Sequence, residues 1–224
     1  MGRVDAGQEA GAPALTGSRL VYRNSWMTVR EDALRRPDGS DGIYGVVDKP
    51  DFVLIIPVEG DGFHIVEQYR YPVGGRFWEF PQGSWPEQSG QGSWPEQSAA
   101  AHDSPGAGGD RAADEGAAAH GLPADAAALA RAELREETGL LARQLTWLGR
   151  LHVAHGYASQ GCHVVLAEGL TQRPPEREAT EADMIHRWVS GESLDEMVAA
   201  GEFVDGTSLA ALTLLRRYRK LSSA

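Results

Sequence analysis

The stretch AELREETGL, from Ala132 to Leu140, decides how this chain is interpreted. Its three glutamates, Glu133, Glu136 and Glu137, are spaced i, i+3 and i+4. At 3.6 residues per turn, this spacing puts all three carboxylates on one face of a helix. Like charges at this spacing disfavour a helix unless a cation compensates them. Mg²⁺ or Mn²⁺ suits such oxygen ligands, although neighbouring arginines on a solvated acidic face would also explain the pattern.

The nine residues end a longer helical pattern. Ala127, Ala130 and Leu134 recur at helical spacing and predict the apolar stripe that faces a core. Asp125 is expected to cap the start of this helix, and Gly139 is expected to end it.

The residues before this helix favour strands. Phe52 to Val58 (FVLIIPV) is a nearly unbroken apolar run, and Gly62 to Tyr69 (GFHIVEQY) alternates, so the two predict central strands joined as a hairpin. Residues 18–47 contain shorter alternating stretches, which predict a small N-terminal β-subdomain followed by the main domain, residues 48–224.

The residues after the helix predict three strands and then two helices. The strand-like runs are Thr146 to Val153, His163 to Ala167 and Met184 to Val189. Ser193-Leu194-Asp195-Glu196 matches a capping box that would open the first helix, and Thr207 to Leu221 carries the second. This mixture predicts an α/β sandwich.

Two segments have a composition that cannot build a core. Residues 1–17 are small and polar and are expected to form a disordered tail. Residues 84–124 are rich in Gly and Ala and are expected to form a mobile, low-complexity insertion. At its start, QGSWPEQS occurs twice, at Gln82 to Ser89 and at Gln91 to Ser98, which we interpret as a tandem duplication without function.

Composition excludes several classes of protein. The 224 residues are 42% hydrophobic and 24% charged, which is ordinary for a globular protein. The net charge of −11 argues against nucleic-acid and membrane-surface partners. No apolar segment resembles a signal peptide or a membrane span, so a soluble cytoplasmic protein is expected. The single cysteine, Cys162, excludes an internal disulfide and a multi-thiolate metal site.

The glutamate-rich core resembles the Nudix box, G-x5-E-x7-R-E-U-x-E-E-x-G-U, in which U is aliphatic. Phe77 to Gly83 (FWEFPQG) is similar to the segment that leads into the box glycine in the ADP-ribose pyrophosphatase branch of that family. Gly156 to Gln160, followed by His163 to Gly169, is similar to the loop and strand after the box. With the insertion excepted, the resemblance spans roughly Tyr22 to Arg217. It implies a Nudix α/β/α sandwich with a mixed β-sheet and a small N-terminal β-subdomain.

The resemblance also implies a reaction, the metal-dependent hydrolysis of an ADP-ribose-like nucleoside diphosphate sugar to a nucleoside monophosphate and a sugar phosphate. Carried over by position, the ligands of Mg²⁺ or Mn²⁺ would be the three box glutamates and the carbonyl of Gln82 beside Gly83, and Glu137 would count as catalytic. Glu181-Ala182-Asp183 fits an acidic pair of this branch. Glu181 would therefore be the general base, and Asp183 an auxiliary metal ligand.

The same comparison implies a set of substrate contacts. Arg70 matches a phosphate-binding arginine, and a bidentate guanidinium suits that role. Lys49 is a second, weaker candidate, and Glu79 could accept hydrogen bonds from a base or ribose. Trp26 could stack on a nucleobase, although a place in the core is the alternative. Gln160 stands where the branch often has a glutamate, and an amide cannot act as a base.

Several departures from the family pattern leave other functions open. Ala132 replaces the box arginine, the segment from Gly83 to Ala132 is far longer than in the box, and Gly92 of the second repeat competes with Gly83 as the box glycine. A different substrate, such as GDP-mannose, is one alternative. A degenerate scaffold that binds a nucleotide without cleaving it is another. The resemblance further implies a homodimer formed through the β-subdomain.

Overall fold

The computed structural model describes residues 11–85, 119–120, 122–175 and 183–223. These residues form two compact units. The first unit contains the described residues up to Lys49 together with Gly156–Ser159. The second unit begins at Pro50 and contains the remaining described residues.

The first unit is an antiparallel sheet of three strands in the order β1-β2-β3, as the alternating stretches predict. The segment Gly156–Ser159 lies along β3, where the Val47 amide donates to the carbonyl of Tyr157 at 2.8 Å. The first strand begins inside the segment that composition assigned to a disordered tail. The strands are β1 (Ala14–Arg23), β2 (Thr28–Arg35) and β3 (Asp41–Asp48).

The second unit is built on a mixed sheet of eight strands. Along the sheet the order is β11-β5-β4-β10-β9-β8, with β6 paired to β5 and β7 paired to β4. Strands β4 and β10 are parallel, whereas β4 and β5 form the expected hairpin. The strands are β4 (Phe52–Glu59), β5 (Gly62–Arg70), β6 (Gly75–Glu79), β7 (Gln82–Ser84), β8 (Ala119–His120), β9 (Leu140–His152), β10 (Gly161–Gln172) and β11 (Ile185–Ser190).

The unbroken apolar run of β4 is explained by burial on both faces of the sheet. Val53 and Ile55 pack with helix α1 (Ala124–Thr138), whereas Leu54 and Ile56 point the other way. On that second face, β4 packs against helices α2 (Gly191–Ala200) and α3 (Gly206–Ser222). This layering confirms the predicted α/β/α sandwich.

Helix α1 contains the predicted apolar stripe and ends as predicted. Ala127, Ala130 and Leu134 are buried, and Gly139 follows the helix in a left-handed conformation with φ of 75°. The predicted cap at the start is wrong, because Pro123 occupies the N-cap position. Asp125 lies instead in the first turn, where its charge favours the positive end of the helix dipole.

The predicted capping box of α2 is also wrong. The helix begins at Gly191, and the side chain of Ser190 caps it by accepting a hydrogen bond from the Ser193 amide at 3.1 Å. A serine also stands three residues before the proposed cap, so the local pattern fits both positions. Helix α3 agrees with the prediction to within one residue at each end.

Parts of the two low-complexity segments lie outside the described residues. These are residues 1–10 of the proposed tail and residues 86–118 and 121 of the proposed insertion. Among the helices that the structure does describe, none combines the length and the apolar character needed to cross a membrane.

A buried hydroxyl fixes the chain just before strand β7. Phe80 is fully buried, and its amide donates a hydrogen bond of 3.0 Å to the side chain of Ser208 on α3. The next carbonyl, that of Pro81, accepts a 2.8 Å hydrogen bond from the Ile55 amide on β4. The entrance to β7 is therefore held from both the helix and the sheet.

We expect Ser208→Ala to lower the free energy of unfolding by about 1–3 kcal/mol, because it leaves the buried Phe80 amide without an acceptor. Urea unfolding followed by circular dichroism measures this change. Ser222→Ala is the matched control, because its exposed hydroxyl bonds to the Tyr218 carbonyl of the same helix. Equal stability of the two variants would contradict an anchoring role for Ser208.

Candidate active site

Helix α1 presents the three box glutamates in three different environments. Glu137 is almost fully buried, with 1% of its surface exposed, whereas Glu133 and Glu136 are partly buried. The position of the helix follows from its apolar stripe, because Leu134 and its neighbours pack on the same sheet face as Val53 of β4. The glutamates therefore lie along the boundary between this packed face and solvent.

Strand β7 brings a glycine directly against this helix. Gly83 pairs with Val53 of β4, and a Cβ atom built on Gly83 would overlap the carboxylate of Glu133. Only a residue without a side chain leaves room for that carboxylate. The structure thus brings Gly83 against the box helix, whereas Gly92 lies outside the described residues.

The donor chemistry around this contact suits a hard divalent cation. Glu133, Glu136 and Glu137 offer carboxylate oxygens, which Mg²⁺ and Mn²⁺ prefer, and Gly83 leaves space at the first of them. The side chains are not already gathered around one point. Within the described ranges, no three Asp, Glu, His or Cys side chains are arranged so that they could hold a metal ion.

Arg70 and Glu79 form an ion pair within the sheet. The Arg70 Nε donates to Glu79 Oε2 at 3.1 Å, and the Arg70 Nη2 contacts Glu79 Oε1. Gln68 also donates to Oε1, at 2.7 Å. The Glu79 side chain is only 3% exposed, whereas that of Arg70 is 38% exposed. Glu79 was expected to accept hydrogen bonds from a ligand, but in the structure these protein donors use its oxygens.

Burial raises the pKa of Glu79 above its usual range, and the nearby charge and hydrogen bonds of Arg70 only partly offset this effect. Gln82 also hydrogen-bonds to this carboxylate through its side chain. Glu79 therefore connects the strand that carries Arg70 with the strand that carries Gly83. Its environment favours a role in orienting Arg70.

The acidic pair proposed for the loop divides between described and undescribed residues. Glu181 lies outside the described residues. Asp183 lies just before β11, and its Oδ2 accepts a 2.6 Å hydrogen bond from Nη1 of Arg76. No sequence signal links Arg76 to a residue 107 positions later, and sequence reasoning missed this contact.

The remaining predicted contacts occupy several places. Gln160 is 9% exposed, and its side-chain amide donates to the carbonyl of Pro50 at 2.8 Å, so it helps to fix the start of β4. Lys49 and Trp26 belong to the first unit. Trp26 is 68% exposed, in a turn where the Asn24 side chain accepts hydrogen bonds from two backbone amides.

Cysteine chemistry finds no support in the structure. Cys162 is buried in the core, and this burial raises the pKa of its thiol to about 12. A thiol with that pKa stays protonated at neutral pH and is a poor nucleophile.

Comparison with known proteins adds three findings to this geometry. The family described as nucleoside diphosphate sugar hydrolase N-terminal domain matches residues 15–47. An ADP-ribose pyrophosphatase of Mycobacterium tuberculosis (strain ATCC 25618 / H37Rv) is 27% identical over 197 residues, which cover 87% of this chain and 79% of that protein. A crystal structure of an ADP compounds hydrolase matches with a TM-score of 0.69 and 19% identity, over 96% of this chain and 98% of the other.

The resemblance to ADP-ribose pyrophosphatase-like Nudix proteins is thereby confirmed. The first-unit match coincides with the predicted β-subdomain, and the structural match supports the predicted Nudix fold across both units. The named ADP-ribose pyrophosphatase also supports the predicted enzyme class, a hydrolase.

We expect Gly83→Ala to weaken Mn²⁺ binding at least tenfold, because the added methyl group would push the Glu133 carboxylate out of its place. The strand itself tolerates alanine, so the unfolding midpoint should stay nearly unchanged. Isothermal titration calorimetry measures the binding. Gly92→Ala, at the same position of the second repeat, is the matched control and should bind Mn²⁺ normally. If only Gly92→Ala weakens binding, the second repeat supplies the box glycine.

Proposed function

We propose that the chain hydrolyses the pyrophosphate bond of an ADP-ribose-like nucleoside diphosphate sugar and depends on a divalent metal ion. The products would be a nucleoside monophosphate and a sugar phosphate. The observation that carries this proposal is the contact of Gly83 with the Glu133 carboxylate, on the helix that also presents Glu136 and Glu137. The names of the relatives support the same class of substrate.

Each residue takes one part in the proposed reaction. Glu133, Glu136 and Glu137 would hold Mg²⁺ or Mn²⁺, together with the backbone carbonyl of Gln82. A bound divalent ion supplies positive charge that stabilises the charge developing on the phosphate oxygens. Glu181 would remove the proton from the attacking water.

The substrate would be held by the groups whose environments suit binding. Arg70 would bind a phosphate through the part of its guanidinium that remains accessible. The buried Glu79 would fix the orientation of Arg70. Gln160 would act indirectly, because its side chain bonds to the carbonyl of Pro50 at the start of β4.

A panel of nucleoside diphosphate sugars tests the proposed substrate class. ADP-ribose, ADP-glucose, GDP-mannose and UDP-glucose are incubated with Mg²⁺ or Mn²⁺, and the products are separated chromatographically. We expect AMP and ribose 5-phosphate from ADP-ribose, at the highest kcat/KM of the panel. A higher kcat/KM for GDP-mannose, with GMP as product, would contradict ADP-ribose as the substrate and favour GDP-mannose.

A catalytically degenerate scaffold is the second candidate function. Two observations favour it: Ala132 stands in place of the box arginine, and the described residues contain no preassembled group of metal-binding side chains. Saturable binding of ADP-ribose without cleavage, at saturating Mg²⁺ and Mn²⁺, would support this candidate over an enzyme. Turnover of any member of the panel would exclude it.

We also propose that the chain forms a homodimer through its first unit. Tyr22 pairs with Val29, and Val29 pairs with Val47, so Tyr22 shares a sheet face with Ile43, four residues before Val47. Each of these two side chains has more than half of its surface accessible. Exposed apolar side chains grouped on one small sheet are typical of an interaction surface. Light scattering after size-exclusion chromatography should give twice the chain mass, and a monomer at micromolar concentration would contradict this proposal.

Substitution of the box glutamates tests the metal-binding role. We expect Glu136→Gln and Glu137→Gln each to lower kcat by at least about a hundredfold, because each removes a charge opposite the metal. The circular dichroism spectrum should remain that of the native protein, since the change removes no core volume. Full metal-dependent activity in both variants would contradict the assignment.

The pH dependence of KM tests the pairing of Glu79 with Arg70. Because the pKa of Glu79 is raised, the folded protein takes up this proton at a higher pH than an ordinary glutamate does. Binding of this proton stabilises the folded protein when the pH lies below the pKa of an ordinary glutamate. This stabilisation is lost as the pH rises through the raised pKa of Glu79. The orientation of Arg70 depends on pH in the opposite direction. As the pH falls, Glu79 takes up its proton and Arg70 loses its anionic partner.

We therefore expect KM to rise as the pH falls from neutrality towards the ordinary glutamate range. In Glu79→Gln, KM should be about tenfold higher at neutral pH, and this acid-side rise should be absent. Glu31→Gln, which alters an exposed ion pair of the first unit, is the control. An unchanged KM in Glu79→Gln would show that Arg70 does not depend on this carboxylate.

A further inference from the structure

Arg76 joins two distant parts of the second unit through one guanidinium group. Its Nε donates to Glu67 Oε2 at 2.8 Å, and its Nη2 donates to the Glu67 carbonyl at 3.3 Å. Towards the other residue, Nη1 donates to Asp183 Oδ2 at 2.6 Å, and Nη2 donates to the Asp183 carbonyl at 2.8 Å. The guanidinium group therefore bonds to both the side chain and the backbone of Glu67 and of Asp183.

These contacts coincide with the point where an edge strand joins the sheet. Glu67 of β5 pairs with Trp78 of β6 on one side and with Ile185, the first residue of β11, on the other. Arg76 of β6 thus reaches across β5 to the residue that leads into β11. Its four hydrogen bonds fix the place where β11 begins.

The same contacts make Asp183 a poor candidate for a metal ligand. One carboxylate oxygen lies against a permanently charged guanidinium, which opposes the approach of a divalent cation. The Asp183 side chain is 66% exposed, so the ion pair adds little to global stability. Its effect is local, on the position of the chain that enters β11.

We propose that Asp183 is a structural anchor, and that Arg76 is a positioning residue that holds it at the entrance of β11. This inference rests on the proposed function, in which Glu181, two residues earlier in the sequence, is the general base. The anchor fixes the chain at Asp183, two residues after that base, and its loss is therefore expected to lower kcat. The metal ligands would then be the box glutamates and the Gln82 carbonyl, without Asp183.

A double-mutant cycle separates the anchor from a metal ligand. Arg76→Gln, Asp183→Asn and the double variant are compared for kcat and KM at saturating Mg²⁺. An anchor predicts that each single change lowers kcat about tenfold with KM altered less than twofold, and that the double variant is no worse than the poorer single. The proposal would be overturned if the loss of kcat in the double variant equalled the product of the two single losses. An unchanged kcat in Arg76→Gln would also overturn it.

Mn²⁺ binding without substrate provides an independent measurement. Titration calorimetry should give the same affinity, within twofold, for the wild type, Arg76→Gln and Asp183→Asn. Glu136→Gln should bind more weakly and serves as the positive control. A tenfold or greater loss of affinity in Asp183→Asn would make Asp183 a ligand and overturn its role as an anchor.

Amide hydrogen exchange tests the anchor without any assumption about activity. Exchange of those amides among Ile185, His186 and Arg187 that donate to β5 should accelerate at least tenfold in Arg76→Gln, because β11 loses its fixed start. Arg35→Gln, which removes an exposed ion pair with Asp41 in the first unit, should leave these amides unchanged. Unchanged exchange in Arg76→Gln would overturn the anchor. Faster exchange in a protein that cleaves no nucleoside diphosphate sugar would uphold the anchor and refute only the proposed function.

Discussion

The contact between the Glu133 carboxylate and the backbone of Gly83 is the constraint on which the candidate site depends. It requires strand β7 to lie close to helix α1, and each is fixed separately. The strand pairs with β4 and follows the anchored Phe80 and Pro81, whereas the helix is fixed by its buried alanines and leucines. A hydrophobic core and a few buried hydrogen bonds thereby position a charged group at the boundary with solvent.

The fold was predictable from the sequence because its strongest signals are local. The run at β4 is apolar at both odd and even positions, and in the structure these positions face two different helix layers. The stripe of α1 and the glycine after it likewise reflect geometry within a few residues. Helix starts were predicted less well. Helix α1 begins after Pro123, which makes no side-chain cap hydrogen bond, and Ser190 fits the cap of α2 as well as Ser193 does.

The site was only partly predictable because its contacts join residues far apart in the chain. The identity of the box helix and the candidate glutamates came from spacing and family resemblance. The partners of Glu79 and Asp183 did not, because ion pairing with Arg70 and Arg76 depends on how the strands are ordered in the sheet. Gln160 illustrates the same difficulty, since its hydrogen-bond acceptor, the Pro50 carbonyl, lies 110 positions earlier.

Anomalous diffraction at the manganese absorption edge, from crystals grown with Mn²⁺, would locate the metal ion itself. We expect an anomalous peak between strand β7 and helix α1, within coordination distance of the Gln82 carbonyl and of carboxylates from the box glutamates. A fully occupied manganese position elsewhere, with these glutamates directed into solvent, would contradict it.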